Sequence, residues 1–187
     1  MRKLKHVIHV SLDGYYADPD GGMRWVRMDD DLGAFVHKFI APCGTAIYGR
    51  KTYEMMENFW PNAEQHPQAK GGSHLVEHAR WVNPVDKILI SRSRKTVSWQ
   101  PTTIISDNVV AAIRELKQQP GKDMVMLAST SLAQLFMSHG LIDQYLISIT
   151  PVALGAGQAF FHQPLNLKLV DAATFSSGVI AGIYEPA

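Results

Sequence analysis

Short apolar runs typical of strands alternate with amphipathic helical patterns along most of the chain, and this alternation constrains the fold more than any other feature. The run from His6 to Leu12 ends at Asp13-Gly14, which indicates a strand followed by a turn. Leu32 to Ile40 then carries apolar residues at helical spacing, and similar pairs of strand and helix follow as far as Gly140. The alternation predicts a three-layer α/β/α sandwich, with helices packed on both faces of a mostly parallel sheet.

The C-terminal part of the chain has a different pattern. Tyr145 to Val152 and Leu165 to Leu169 alternate between apolar and polar residues, and Val179 to Tyr184 is a last apolar run. No helical pattern separates these segments, so we expect antiparallel pairing at one side of a mixed sheet. No repeat, low-complexity tract or linker interrupts the 187 residues, and we expect a single domain spanning 1–187.

Charge and composition argue against several classes of partner. The chain has 18 basic and 17 acidic residues, a balance that gives no field to attract nucleic acid or a membrane surface. No apolar stretch approaches the roughly 18 residues that span a bilayer, and we interpret the basic start as the edge of the first strand, not a signal peptide. The single cysteine, Cys43, excludes an internal disulfide. We therefore expect a cytoplasmic protein.

Three strand ends carry basic or hydroxylated residues, namely YGRKT (48–52), SRSR (91–94) and ASTS (128–131). Each follows a short apolar strand and is expected to lead toward a helix, and such ends share one edge of a parallel sheet. Helix N-termini at that edge offer free N–H groups to anions. Arg50 and Lys51 are suited to a pyrophosphate, and Arg92 to an isolated phosphate such as the 2′-phosphate of NADP. Each turn taken alone is also consistent with an ordinary solvated turn.

The order of several motifs resembles that of the dihydrofolate-reductase-like family. The motifs are SLDGYYADPDG (11–21), YGRKTYE (48–54), FWP (59–61), ILISRS (88–93), SLAQLFMSHGLIDQYLISITPVALGAGQAFF (131–161) and GVIAGIYEP (178–186). The nearest branch is that of small stand-alone bacterial proteins similar to the reductase domain of riboflavin biosynthesis. Neither GxGxxG nor GxxxxGK[ST] occurs, so the classical Rossmann and triphosphate loops do not apply.

The resemblance implies an NADPH site built from these three strand ends. The pyrophosphate is expected against Gly49, Arg50, Lys51 and Thr52. The adenosine 2′-phosphate is expected against Ser91, Arg92 and Ser93. The third turn is expected to comprise Ala128, Ser129, Thr130 and Leu132. That turn is usually rich in glycine in the family, because the backbone approaches the cofactor closely, and Ala128-Ser129 departs from this pattern.

Two aspartates are candidates for the catalytic acid. Asp31 lies in DDLGAFVHK, which resembles the segment that carries the pterin-binding carboxylate of dihydrofolate reductase, but it also suits a plain helix cap. Asp13 in SLDG lies where the first strand reaches the edge of the sheet, but an aspartate before glycine is also typical of a turn. Tyr16 and Trp60 are candidates to flank a flat substrate, although both also suit ordinary packing.

His74 to His78 spells H-x-x-E-H, the inverted zinc-protease motif. On a helix the two histidines share one face with a spacing suited to zinc, but no third ligand is apparent, and an exposed polar helix turn is the better interpretation of the motif. We therefore expect no metal. The leading hypothesis is an NADPH-dependent reductase of a small heterocycle, of pteridine or ribosylaminopyrimidine type. A non-catalytic protein that binds NADP or another ligand and a zinc hydrolase are the alternatives. A homodimer is also expected, because members of the family often pair through a sheet edge.

Overall fold

The computed structural model describes residues 1–66 and 74–187, and its centre is an eight-stranded sheet. The strands of this sheet are β1 (Leu4–Ser11), β3 (Thr45–Gly49), β4 (Asp86–Ile90), β5 (Thr102–Ile105), β6 (Met124–Leu127), β7 (Gln144–Thr150), β9 (Leu167–Thr174) and β10 (Ile180–Pro186). Two short strands, β2 (Tyr15–Ala17) and β8 (Gln158–Ala159), pair apart from it. The strand order β5-β4-β3-β6-β1-β7-β10-β9 places the first strand near the middle.

The helices are α1 (Asp30–Ile40), α2 (Arg50–Phe59), α3 (His74–Val82), α4 (Val109–Gln118) and α5 (Thr130–Ser138), with a 3-10 helix at Trp60–Gln65. This 3-10 helix falls in a segment for which the sequence predicts a loop from 62 to 73. That prediction is wrong for its first residues, and 67–73 lie outside the described residues. In the part of the chain that the structure covers, no helix combines the length and the apolar character needed to cross a membrane.

The pairing of the strands confirms the predicted mixed sheet. β1 pairs in parallel with β6 and β7, and β3 pairs in parallel with β4 and β6. β10 runs antiparallel to both of its neighbours, β7 and β9. The sequence missed β5, because its four half-exposed residues at the edge of the sheet give no clear apolar alternation. The SRSR segment is followed in the chain by β5 and only then by α4. The expectation that SRSR leads directly to a helix is therefore wrong.

Helices cover both faces of the sheet, as a three-layer sandwich requires. One apolar cluster packs Leu32 and Phe39 of α1 and Tyr53 of α2 against the sheet, and a second packs Ile113 of α4 and Phe136 of α5 against the opposite face. Each helix presents one apolar side to the sheet, which is the arrangement that its spacing predicts. The carboxyl ends of β4, β3 and β6 therefore lie side by side on one edge, between the two helical layers.

Candidate active site

A cleft of about 510 Å³ opens where β3 and β6 end, and we call it the rim cleft. Gly49, which ends β3, and Ala128, which follows β6, face each other across its floor. The cleft is lined by Ile8, Tyr16, Ala17, Gly21, Met23, Gly49, Arg50, Lys51, Thr52, Met55, Ala128, Ser129, Thr130, Ser131, Leu132 and Gln158. Two of the three strand ends singled out in the sequence, with all their predicted residues, therefore meet in one cleft.

The turn after β6 adopts a backbone conformation that normally favours glycine. Ala128 has a φ of 48° and Ser129 a φ of 52°, both in the left-handed region. Three hydrogen bonds hold the turn. Ala128 N–H donates to Val7 O over 3.1 Å, His6 Nε2 donates to Ala128 O over 2.8 Å, and Gly49 N–H donates to Ser129 Oγ over 2.9 Å. These bonds offset the cost of two side chains in a left-handed turn.

The N-termini of α2 and α5 both open onto the rim cleft. Neither helix has a side-chain hydrogen bond at its N-cap, and neither carries an acidic residue in its first turn. The first backbone N–H groups of a helix lack partners within the helix, and they carry partial positive charge. Arg50 adds a cation but also pairs with Glu54 at 3.0 Å, whereas Lys51 is exposed. These N–H groups and the two basic side chains place partial and full positive charge at the rim cleft.

Arg92 lines a separate groove on the other side of α5. The residues of this second groove are Ile90, Ser91, Arg92, Ser106, Asp107, Asn108, Val109, Val110, Ala111, Arg114 and Leu135. Leu132 of α5 lines the rim cleft and Leu135 lines the second groove, so the helix separates Arg50 from Arg92. Ser93 is exposed beside the groove, and Ser91 Oγ accepts a hydrogen bond from Arg94 N–H at 3.0 Å.

The N-terminus of α4 also faces the second groove. The sequence predicts Asp107 as the cap of this helix, and the prediction is wrong. The N-cap residue is Asn108, whose φ of 46° is left-handed and whose side chain makes no capping bond. The backbone N–H groups of the first turn of α4 are therefore free of a side-chain cap, beside Arg92 and Arg114, although the exposed Asp107 lines the same groove.

Behind the rim cleft lies a cavity of about 370 Å³, which we call the histidine cavity. Its lining is Val7, Ile8, His9, Met23, Met28, Gly33, Val36, His37, Met55, Met56, Trp60, His74, Leu75, His78, Leu127 and Ala128. Ile8, Met23, Met55 and Ala128 line both spaces, so the cavity adjoins the cleft. Its polar side chains are four histidines, and no Asp, Glu, Lys or Arg belongs to the described lining.

The four histidines of the cavity differ in their partners. Burial lowers the pKa of His9 to about 4, and burial with repulsion from His37 and His74 lowers the pKa of His78 to about 3. Both rings are therefore neutral near pH 7. His9 Nδ1, His37 Nδ1 and His78 Nε2 are buried without a hydrogen-bond partner in the described part of the chain. His74 differs, since its Nδ1 lies 2.9 Å from Asp30 Oδ1.

The two candidate acids lie outside the histidine cavity. Asp13 accepts hydrogen bonds from Ser11 Oγ at 2.6 Å and from the N–H groups of Leu154 and Gly155. These bonds lower the pKa of Asp13 to about 2, and the carboxylate holds a neighbouring loop. Asp31 is exposed in the first turn of α1, where Asp29 is the actual N-cap and accepts from Leu32 N–H at 2.8 Å. A catalytic role for either aspartate stays a prediction without support from its position.

The two candidate substrate contacts fall in adjoining spaces. Tyr16 lines the rim cleft, and its hydroxyl donates to Gln158 Oε1 at 2.6 Å. Trp60 lines the histidine cavity and contacts His78, with ring centroids 4.2 Å apart and ring planes tilted by 36°. Part of the surface of Trp60 is thus already covered by an imidazole.

The H-x-x-E-H sequence does lie on a helix, α3, and both of its histidines line the histidine cavity. Across residues 1–66 and 74–187, however, no cluster of three or more His, Cys, Asp or Glu side chains has a geometry suited to a metal ion. The zinc hypothesis therefore gains no support from the fold. Sequence reasoning missed the cavity as a whole, because His9, His37 and the α3 pair come from three separate elements. The H-x-x-E-H motif is the one signal that pointed to it.

Comparison with known proteins shows which family and which solved structures this chain resembles. Residues 2–181 match the sequence model of the RibD C-terminal domain. The Bacillus subtilis (strain 168) protein YyaP, described as uncharacterized, is 34% identical over 187 residues, covering 98% of this chain and 95% of YyaP. A structure from Shewanella sp. PV-4, described as that of a riboflavin biosynthesis protein, has a TM-score of 0.68 at 18% identity and covers 99% of both chains.

A second solved structure is the diaminohydroxyphosphoribosylaminopyrimidine deaminase/5-amino-6-(5-phosphoribosylamino)uracil reductase of Thermotoga maritima, with a TM-score of 0.70 at 16% identity. All of this chain is covered, but it spans only 57% of the length of that protein. The structural likenesses confirm the dihydrofolate-reductase-like fold that the motifs imply.

Proposed function

Because the chain belongs to the RibD C-terminal domain family, we propose that it is an NADPH-dependent reductase of a small heterocyclic substrate. One observation carries the proposal: two helices without side-chain caps, α2 and α5, open onto one cleft at the end of parallel strands. Free N–H groups at helix N-termini are suited to a pyrophosphate. When bound, the reduced nicotinamide supplies a hydride, and the protein supplies position and electrostatics.

The second groove supports a preference for the 2′-phosphate of NADPH. Arg92 and Arg114 line it together with the open N-terminus of α4, and Ser91 stands at its edge. An arginine guanidinium can form two parallel hydrogen bonds to a phosphate. The exposed carboxylate of Asp107 opposes an anion there, so the two arginines are needed to make the local field positive. α5 would then lie between the two phosphate sites.

The histidine cavity is the proposed substrate site, since it adjoins the rim cleft at Ile8 and Ala128. Its apolar and aromatic lining suits a flat ring, and its imidazole nitrogens suit the polar edge of such a ring. A pteridine or a ribosylaminopyrimidine has both properties. Trp60 would contact the ring in the cavity, and Tyr16 would contact the cofactor side of the boundary. A cytoplasmic location, where NADPH is available, fits this function.

Titration of tryptophan fluorescence with NADPH and NADH tests the proposal. The wild-type protein is expected to bind NADPH more tightly than NADH. Arg92→Ala should weaken NADPH binding by about 10- to 100-fold, the loss expected for a charge-assisted hydrogen bond, and should leave NADH binding unchanged. Arg80→Ala is the matched control, since this exposed arginine lies on α3 outside both spaces. No binding of NADPH at millimolar concentration would sink the proposal.

A non-catalytic protein that binds NADP or another ligand is the second candidate. It is favoured by Ala128 and Ser129 in a left-handed turn, and by the absence of a carboxylate in the described lining of the histidine cavity. NADPH binding without turnover of any pterin, aminopyrimidine or other conjugated C=N or C=O compound would favour this alternative over the reductase.

We also propose that two copies of the chain pair through β9. This strand is the edge of the sheet, so its outer backbone groups have no strand partner among the described residues. Leu169 and Val170 lie on β9 at a register shift in its pairing with β10, and 53% and 52% of their surfaces are exposed. Light scattering should show a dimer for the wild type and a monomer for Val170→Lys. A wild-type monomer at all accessible concentrations would exclude the pairing.

A further inference from the structure

A reduction of a C=N or C=O bond needs a proton as well as a hydride, and the histidine cavity limits where that proton comes from. The described lining contains four histidines and no carboxylate or other acid. Asp31, the sequence candidate, is exposed and does not belong to this lining. The proton must therefore come from an imidazole or from water that reaches the cavity.

His74 is the one cavity histidine that a carboxylate holds in the described structure. The Nδ1 of its ring lies 2.9 Å from Asp30 Oδ1 in the first turn of α1. Since a carboxylate accepts, Nδ1 is the protonated nitrogen of this contact. A ring that donates from Nε2 while Nδ1–H stays bonded to Asp30 is the doubly protonated form, so Nε2 is the nitrogen that faces a substrate in this proposal.

The ring of His74 is also fixed by close packing. A Cβ placed on Gly33 would lie 2.4 Å from Cβ and 2.5 Å from Cγ of His74. Glycine is a much poorer helix former than alanine, so its presence as the fourth residue of α1 needs a reason. The close approach of His74 supplies that reason. α1 thus positions His74 in two ways. The carboxylate of Asp30 contacts its ring, and the missing side chain of Gly33 leaves room for it.

The other three histidines are less suited to carry the proton. Burial holds the pKa values of His9 and His78 at about 4 and about 3, so few of these rings are protonated near neutral pH. His37 faces the cavity from α1 with its Nδ1 buried and unpartnered in the described chain. No carboxylate contacts any of these three rings in the described residues, so none of them is oriented as His74 is.

We propose that His74, oriented by Asp30, donates the proton of the reduction, an inference that rests on the proposed function. A hydride, which brings both electrons, bonds to the acceptor carbon of C=N or C=O and leaves the nicotinamide oxidised. The proton on Nε2 of His74 passes to the nitrogen or oxygen as the double bond opens. His74 is then neutral and takes a new proton from solvent. His74 is the catalytic residue, and Asp30 is a positioning residue.

The charge of His74 depends on the groups around it. Asp30 and His37 face it from α1, His9 from β1 and His78 from its own helix. On the 3-10 helix, which also packs against α3, Glu64 is paired with the exposed Arg80 at 3.8 Å. Glu77 on α3 is exposed. Asp30 is the one carboxylate of this group in contact with the ring.

Histidine ring NMR on the protein without cofactor gives the first readout. The His74 signals are identified by their loss in His74→Gln, and they should show a proton on Nδ1. Asp30→Ala should shift the Nδ1 signal of His74, because the carboxylate that accepts from this nitrogen is removed. Asp31→Ala, at the adjacent exposed aspartate, should leave the Nδ1 signal in place. An Nδ1 signal that Asp30→Ala does not move would overturn the inference.

Kinetics with a substrate that the wild type reduces give the second readout. His74→Gln should lower kcat by about 100-fold or more at unchanged NADPH affinity, the usual contribution of a general acid. Asp30→Ala should lower kcat at unchanged NADPH affinity, and Asp30→Asn, which keeps an acceptor oxygen, should restore part of it. His139→Gln, at an exposed histidine just after α5, should have no effect. A wild type that does not bind NADPH would overturn the proposed function itself. NADPH binding with undiminished turnover in His74→Gln would overturn only the role of His74.

Discussion

The rim cleft and the histidine cavity share a boundary, but they are built in opposite ways. The rim cleft is made largely of backbone: the first N–H groups of α2 and α5 and the left-handed turn at Ala128 and Ser129. The histidine cavity is made of side chains from β1, α1, α2 and α3, with imidazole as its polar group. The first construction depends on where strands end, and the second on which side chains meet.

This difference has consequences for stability as well as for binding. Around the rim cleft, strain in the backbone is offset by local hydrogen bonds to His6, Val7 and Gly49. In the cavity the cost lies in neutral imidazoles with unpartnered nitrogens. The cavity should therefore respond to pH, and the rim cleft to the removal of single hydrogen bonds or of a Cβ.

The largest expected effect is acid destabilisation. In the unfolded chain the pKa of each buried histidine is near 6.5. In the folded protein, burial lowers the pKa of His6 and of His9 to about 4 and that of His78 to about 3. The unfolded state thus holds more protons within this window, so the free energy of unfolding falls as the pH drops from 7 to 5. Each histidine contributes about 2 kcal/mol to this fall. Denaturant titrations at the two pH values measure it.

A matched pair of variants tests whether a histidine of the cavity causes this acid destabilisation. His78→Phe should reduce the fall by the share of one histidine, and His139→Gln, exposed at the end of α5, should leave it unchanged. The carboxylate of Asp13 does not contribute to the fall, because its ordinary pKa of 3.8 and its folded pKa of about 2 both lie below pH 5. An equal fall in all three proteins would show that the cavity is not the source.

The next effect concerns the hydrogen bond across the rim cleft. Ser129→Ala removes the acceptor of Gly49 N–H and should lower the free energy of unfolding by about 1–2 kcal/mol, because the N-cap amide of α2 loses its partner. Ser131→Ala, at an exposed position of the same turn, should change it by less than about 0.5 kcal/mol. Equal effects of the two substitutions would show that the Ser129 hydroxyl does not stabilise the N-terminus of α2.

The smallest effect tests the backbone strain directly. Ala128→Gly should raise the free energy of unfolding by up to about 1 kcal/mol, since glycine adopts a φ of 48° without steric cost while losing some entropy on folding. Ala111→Gly, at an exposed site inside α4, should lower it by about 1 kcal/mol. Urea unfolding measures the sign of the change in the free energy of unfolding for both variants. A loss in both variants would mean that the turn is not strained.

The sequence predicts the rim cleft well because the signals are local. Strand ends such as Tyr48-Gly49 and Leu127-Ala128 can be located from apolar runs, and parallel pairing brings them to one edge. The departure from glycine at Ala128 and Ser129 was also visible, although the left-handed φ of both residues was not. β5 and the 3-10 helix were missed because short or half-exposed segments give weak periodicity.

The candidate acids show what local patterns cannot decide. A run of three aspartates indicates a helix start, but which one caps the helix, which one contacts another helix and which one is exposed depends on packing. Asp13 was placed correctly at a turn, yet its hydrogen bonds come from residues 154 and 155, far along the chain. Contacts over such separations leave no trace in the spacing of residues.

By itself, the sequence determined the alternation of strands and helices, the antiparallel end of the sheet and the two strand ends that meet at the rim cleft, because each follows from periodicity within about ten residues. Only the tertiary structure decided that His9, His37, His74 and His78 line one cavity, that α5 separates Arg50 from Arg92, and that Asp30 holds His74 above Gly33. These facts depend on how helices pack on the sheet, and that packing is fixed by the core as a whole.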